Sequence, residues 1–178
     1  RSYGQSSKTN LATDLARYGS TAVWRGVYYR GEKIGFTVSQ TTKTESGFEL
    51  QEDGRLQMLL LGQDTAARIH TTARVDSSFT LRGFEFSLDP GTGAIKVHGT
   101  VDRPSPSSAA RRVTVEIVSG GDTRTQVIDL PEPPAMSLNF SRMLANAGLV
   151  AGATHQWMMF DPALTAKTPA APASSATP

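Results

Sequence analysis

The stretch Val23-Trp24-Arg25-Gly26-Val27-Tyr28-Tyr29-Arg30-Gly31-Glu32-Lys33-Ile34-Gly35-Phe36-Thr37-Val38-Ser39-Gln40-Thr41-Thr42 sets the period on which the whole chain is built. Its aromatic and branched residues recur at every second position, the spacing at which side chains of a β-strand return to one face. Trp24, Gly26 and Tyr28 share a face in the first run, and Ile34, Phe36 and Val38 share one in the second. Gly31-Glu32 between them is the Gly-X pair suited to a two-residue type II′ turn, so the two runs read as a β-hairpin.

Working toward the C-terminus, the same period persists to Leu130. Glu45-Ser46-Gly47 turns the chain into residues 48–61, which are expected to break or bulge at Asp53-Gly54 and which set Leu56, Met58 and Leu60 in phase. After the turn signal Gly62-Gln63-Asp64, residues 65–75 alternate Ala67, Ile69, Ala73 and Val75 against Arg68, His70, Thr72 and Arg74. Phe79 and Leu81 are out of phase with Phe84, Phe86 and Leu88, which calls for one extra residue, a β-bulge, near Gly83. Asp89-Pro90-Gly91-Thr92-Gly93 turns into Ile95, Val97 and Val101, and residues 103–110 read as a surface loop. Val113, Val115 and Ile117 alternate in turn, and Gly120-Gly121-Asp122 returns the chain through residues 123–130.

Pro131-Glu132-Pro133-Pro134 stops the sheet. Ser137 then reads as the N-cap of one amphipathic helix over about residues 137–147, with Leu138, Phe140, Met143, Leu144 and Ala147 on its stripe and Gly148 beyond it. Residues 11–17 allow two helical turns capped by Asn10, and residues 155–160 a last strand. The expected organisation is a lead-in over 1–22, a β-rich half-barrel domain over 23–162, and a disordered Ala/Pro/Ser/Thr tail over 163–178 that links to something beyond it. The fold class is mainly β: a curved antiparallel sheet, a half-open barrel of about eight or more strands, with one packed helix.

Composition narrows the chemistry. The chain has 178 residues, 38% of them hydrophobic, which suffices for one core without staples. With no Cys there is no thiol nucleophile, no Cys-based zinc site and no disulfide. A formal charge of +2 with no polybasic run gives no footprint for nucleic acid. The longest apolar run, Met58-Leu59-Leu60-Leu61, falls far short of the roughly 20 residues of a membrane helix, so no transmembrane segment is expected. The chain opens at Arg1 and not at Met, the pattern left when a signal peptide, anchor or tag is removed.

No Gly-x-Ser-x-Gly elbow occurs, and His70, His98 and His155 are scattered and read as solvated or edge histidines. No His-Glu-x-x-His or EF-hand spacing is present, so neither metal nor cofactor is expected. Gly91-Thr92-Gly93 precedes a strand and lacks the Lys-Ser/Thr of a phosphate loop. Asn139-Phe140-Ser141 matches the glycosylation triplet but falls inside the helix. A concave apolar side remains as the place for a ligand, and Tyr28, Phe36, Met58, Phe84, Phe86, Leu138, Phe140 and Met143 are the candidates to line it. Their soft and aromatic side chains suit an apolar or lipid-like molecule, and equally suit ordinary core packing.

The order of motifs Trp24-x-Gly26-x-Tyr28-Tyr29-x-Gly31-x-Lys33-Ile34-Gly35-Phe36, Phe79-x-Leu81-x-x-Phe84-x-Phe86, Ala147-Gly148-Leu149-x-x-Gly152 and Phe160-Asp161-Pro162 resembles the β-rich region preceding the transglutaminase-like domain of some bacterial exported proteins. The resemblance spans residues 23–162 and implies a Cys-His-Asp domain downstream, none of which lies in this Cys-free chain. The inferred architecture also resembles, more distantly, the periplasmic lipoprotein-carrier half-barrel. The resulting expectation is a non-catalytic module of the bacterial envelope, periplasmic or extracellular, that binds an apolar ligand or positions a neighbouring domain or envelope protein. A protein-interaction scaffold is the alternative. A hydrolase assembled from His70 or His98 with a carboxylate of a neighbouring strand is a further one, and it requires that pair within hydrogen-bond reach in a cleft.

Overall fold

A computed structural model of the chain describes residues 18, 21–60, 63–147 and 158–163. Eight strands follow one another in space as in sequence, each antiparallel to the next: β1 (Val23–Tyr29), β2 (Glu32–Lys43), β3 (Gly47–Leu60), β4 (Gln63–Asp76), β5 (Leu81–Asp89), β6 (Ile95–Asp102), β7 (Arg111–Ser119) and β8 (Asp122–Leu130). The sheet is curved and unclosed, and α1 (Ser137–Ala147) lies against β3 and β4. The mainly β, eight-stranded antiparallel fold with one helix expected from the alternation is therefore the fold observed. The expected lead-in helix, the tail and most of the expected last strand lie outside the described residues; Met159 of that segment pairs with Ala135 in a parallel bridge.

Hairpin chemistry differs from expectation by one residue. The first turn is Arg30-Gly31, with φ of 49° and 84°, flanked by the pair Tyr29 and Glu32. Positive φ at both central residues makes it type I′, whose twist matches the strands, so Arg30 takes the left-handed conformation and Glu32 joins β2. Gly120-Gly121 repeats the solution between β7 and β8, with φ of 59° and 90°. The expected break at Asp53-Gly54 does not occur: β3 is continuous, with Gly54 paired to Thr37 and Ile69. The bulge expected near Gly83 is present, since Arg74 pairs with Gly83 and Val75 with Leu81, leaving Arg82 as the extra residue. A second shift, at Val27/Tyr28, leaves Ile34 unpaired on β2.

Phe79, expected in a strand, sits in the β4–β5 loop with φ of 61°. Asp76 holds this loop, its Oδ1 accepting from the backbone N–H of Ser78 (2.9 Å) and Thr80 (3.0 Å). The left-handed turn brings the Phe79 ring onto Phe48, stacked at 4.6 Å, and leaves its carbonyl to receive Asn139 Nδ2 at 3.1 Å. Asn139 is fully buried, and its Oδ1 accepts from Met136 N–H at 2.7 Å. Because Asn139 and Phe140 N–H both donate to the Met136 carbonyl, Met136 is the N-cap and Ser137 the first helical residue. Asn139 supplies the back-reaching half of a capping box, which Ser137 was expected to provide from the other side.

The core lies on the helix-covered, inner face: Leu50, Ala73, Val75, Leu81, Phe84, Phe86, Val97, Val113, Val115 and Ile117 pack with Met136 and Met143. Across β1 and β2 the buried side reverses. Trp24, Phe36 and Val38 stand on the outer face, as their cross-strand pairing with Asp53 and Arg55 requires, and Tyr18 packs edge-on to Trp24 at 6.0 Å. Val38 is 1% exposed there, against 0% for Phe84 on the other side.

Candidate functional site

That reversal divides the eight candidate ligand residues. Phe84, Phe86 and Met143 are buried in the inner core, where Phe84 meets Phe160 at 5.0 Å and Met143 Sδ accepts from Asn139 Nδ2 at 3.1 Å. Phe140 packs against the same core. Phe36 is on the opposite face, 5.5 Å from Trp24, and Tyr28 is 65% exposed, its ring folded over Gly26 beside the sheet edge. Met58 lies in β3, with its side chain outside the described residues. Leu138 alone of the described seven borders an inner-face cleft. Among the described residues no single cavity gathers them, because Phe84, Phe86 and Met143 fill the centre of the inner face with their own packing.

The inner-face cleft lies beside that core, between β1–β3 and the first half of α1, with a volume of about 600 Å³. The helix crosses at β3 and β4, so among the described residues it is these strands, and not β1 and β2, that it chiefly covers. Phe48, Leu50, Phe79 and Leu138 form an apolar wall, and Arg25, Glu52, Ser141 and Arg142 supply polar groups. Glu52 is half-buried, and burial pushes its carboxyl above the usual carboxylate range while the Arg25 charge pulls the other way. Arg25 Nη1 donates to Ser39 Oγ at 3.1 Å, and the Arg142 guanidinium stands 5.6 Å over the Phe79 ring. Sequence reasoning missed Glu52, although the signal was present: in Leu50, Glu52, Gly54, Leu56 it is the one charged residue in an apolar phase.

The outer face carries a second cavity, of about 400 Å³, lined by Tyr18, Phe36 and Val38 at one side and by Asp53, Arg55, Arg68, His70, Ser87 and Asp89 at the other. Strand register builds it in rows. Val38, Asp53, His70, Ser87 and Lys96 are successive cross-strand neighbours, and Phe36, Arg55, Arg68 and Asp89 form the next row. His70 Nδ1 lies 2.6 Å from Asp53 Oδ1, a separation typical of charge-assisted bonds, and His70 Nε2 is 3.1 Å from Thr72 Oγ1. Gln51 Nε2 donates to Asp53 Oδ2 at 3.1 Å and Gln40 Nε2 to Gln51 Oε1 at 3.2 Å, so a hydrogen-bonded chain crosses three strands. His98 sits apart from this pair, 3.7 Å from Glu85.

Chemically, the outer row places a carboxylate on one imidazole nitrogen and a hydroxyl on the other, the order of orienter, base and nucleophile. Backbone N–H groups of interior strands lie in the plane of the sheet and are spent on the ladder, so none faces the cavity to hold an oxyanion. Among the described residues no cluster of three His, Asp or Glu is placed to hold a metal ion, and no helix is long and apolar enough to cross a membrane. Comparison with protein-family models, with curated proteins and with solved structures gives no match for this chain.

Proposed function

We propose that this chain is a non-catalytic binding module of the bacterial cell envelope whose ligand is an amphiphile seated in the inner-face cleft. The apolar part of the ligand lies along Phe48, Leu50, Phe79 and Leu138, and its polar head meets Glu52, Arg25 and Arg142. The observation that carries this reading is the cleft itself: about 600 Å³ left open beside a filled core, with a half-buried carboxyl at its wall. Such a volume is in the range of small-molecule sites, and mixed apolar and polar lining is their usual character. The envelope setting draws on the motif resemblance over residues 23–162, which also supports a role in positioning a downstream domain.

The test is native mass spectrometry of the purified chain, with denaturing extraction of whatever co-purifies. An adduct of defined mass that disappears in Ser141→Trp, which plugs the cleft from an exposed helix position, is the expected result. A clean apo mass, together with no uptake of a fluorescent fatty-acid or lysophospholipid probe, overturns the reading.

One observation favours a second reading, a hydrolase on the outer face: the Asp53–His70–Thr72 hydrogen bonds, with Ser87 directly across from His70. Labelling by a fluorophosphonate probe that is lost in both His70→Gln and Ser87→Ala or Thr72→Val would establish it. Absence of labelling removes it.

A further inference from the structure

The inner-face cleft holds charges of both signs that stand side by side without pairing. Among the described residues its charged groups are Arg25 of β1, Glu52 of β3 and Arg142 of α1. Arg25 Nη1 donates to Ser39 Oγ at 3.1 Å, and Ser39 is the direct cross-strand partner of Glu52, so this guanidinium is held over β2, one strand away from the carboxyl. Neighbouring strands are about 5 Å apart, a distance that allows attraction without contact. Glu52 makes no hydrogen bond or ion pair with a described residue, and the described partner of Arg142 is the Phe79 ring beneath it. Burial pushes the Glu52 carboxyl up by more than the Arg25 charge pulls it down, the balance of a group that Arg25 attracts and does not bind.

We infer that the head of the ligand is a zwitterion carried on a single acyl chain, with a primary ammonium on Glu52 and a phosphate on Arg25. The inference rests on the amphiphile reading of the cleft and names its ligand class. A purely anionic head would bring a like charge to Glu52, and a purely cationic one would face Arg25 and Arg142; a head of both signs answers both. The two-carbon bridge of a phosphoethanolamine head sets ammonium and phosphate about 5 Å apart, one strand spacing, which matches the Glu52 carboxyl and the guanidinium held on the next strand. Arg25 meets the phosphate with the donors that Ser39 leaves free, and a primary ammonium offers Glu52 the N–H groups that a quaternary one lacks. The chain lies along Phe48, Leu50, Phe79 and Leu138 in a cleft of about 600 Å³.

The experiment is isothermal titration of the full chain, below micelle-forming concentrations, with decanoyl lysophosphatidylethanolamine, its choline and glycerol counterparts, and decylamine. The ethanolamine lipid is expected to bind more tightly than each of the others by about tenfold or more. Glu52→Gln is expected to erase its advantage over the glycerol lipid, and Arg25→Gln its advantage over decylamine. Arg25 is exposed and Gln keeps the shape of Glu52, so both variants are compatible with folding, checked by circular dichroism. Equal binding of the ethanolamine and glycerol lipids, or an unaltered preference in Glu52→Gln, overturns the inference; the amphiphile reading then stands if Ser141→Trp abolishes the binding of both. Binding of none of these probes, or binding that survives Ser141→Trp, overturns the inference and the amphiphile reading together.

Discussion

The β5–β8 half of the sheet and the β1–β2 half obey the same alternation and bury opposite faces. In β5–β7 the phase of Phe84, Val97, Val113 and Val115 points to α1 and is closed to solvent. In β1–β2 the phase of Trp24, Phe36 and Val38 points away from α1 and is covered at Tyr18. A strand can bury either face, because its side chains alternate with period two, and only register against neighbours says which. The lesson is that a meander of this length can hold two cores on one sheet, and the surfaces each leaves uncovered become the two cavities.

The largest expected effects separate the halves. Phe84→Ala, which empties the centre of the inner core, is expected to cost about 3–5 kcal/mol. Phe36→Ala removes a half-buried ring beside an existing cavity and is expected to cost only about 1–2 kcal/mol. Urea denaturation followed by circular dichroism measures both. Equal losses would mean that the outer cluster is as tightly packed as the inner one, and the comparison would fail. Next in size is Asn139→Ala, expected to cost about 2–3 kcal/mol because it orphans the Met136 N–H and the Phe79 carbonyl inside the inner core.

Glycines sharpen the contrast at smaller scale. A Cβ on Gly99 would fall 2.1 Å from the Phe84 ring, whereas one on Gly54 would first meet a Thr37 methyl at 3.2 Å. Gly99→Ala is therefore expected to cost about 1–3 kcal/mol by overpacking, and Gly54→Ala less, each read from the shift in urea midpoint at constant slope.

Strand number, order and the Gly83 bulge were legible because alternation and turn residues are local signals. The side on which each strand buries its apolar residues was not. Phe36 and Phe84 have the same chemistry and the same flanking pattern, and the Ile34 and Arg82 bulges shift phase by single residues whose effect appears only once partners are known. Asn139 was legible only as a glycosylation triplet in a helix, since its role depends on Phe79 reaching a left-handed conformation sixty residues away. The Asp53–His70 pair needed the β3–β4 register, and the cleft around Glu52 needed the place where α1 crosses.

The smallest expected effect tests the cleft directly. Burial raises the Glu52 pKa in the folded chain above its unfolded value, so the folded state holds the proton more tightly. Stability is then greatest below the usual carboxylate range and declines as pH rises through it and ionises the buried group. Glu52→Gln keeps the shape without the charge, and is expected to be more stable than the parent at neutral pH by about 1 kcal/mol or less. The difference should vanish in acid, where both side chains are neutral, as thermal melts across that pH range would register. A Glu52→Gln variant less stable at neutral pH would mean that attraction to Arg25 outweighs desolvation. If the melt behaves as expected while amphiphile uptake falls, then Glu52 is held at a cost to folding for what it does in the cleft, a trade found at binding sites.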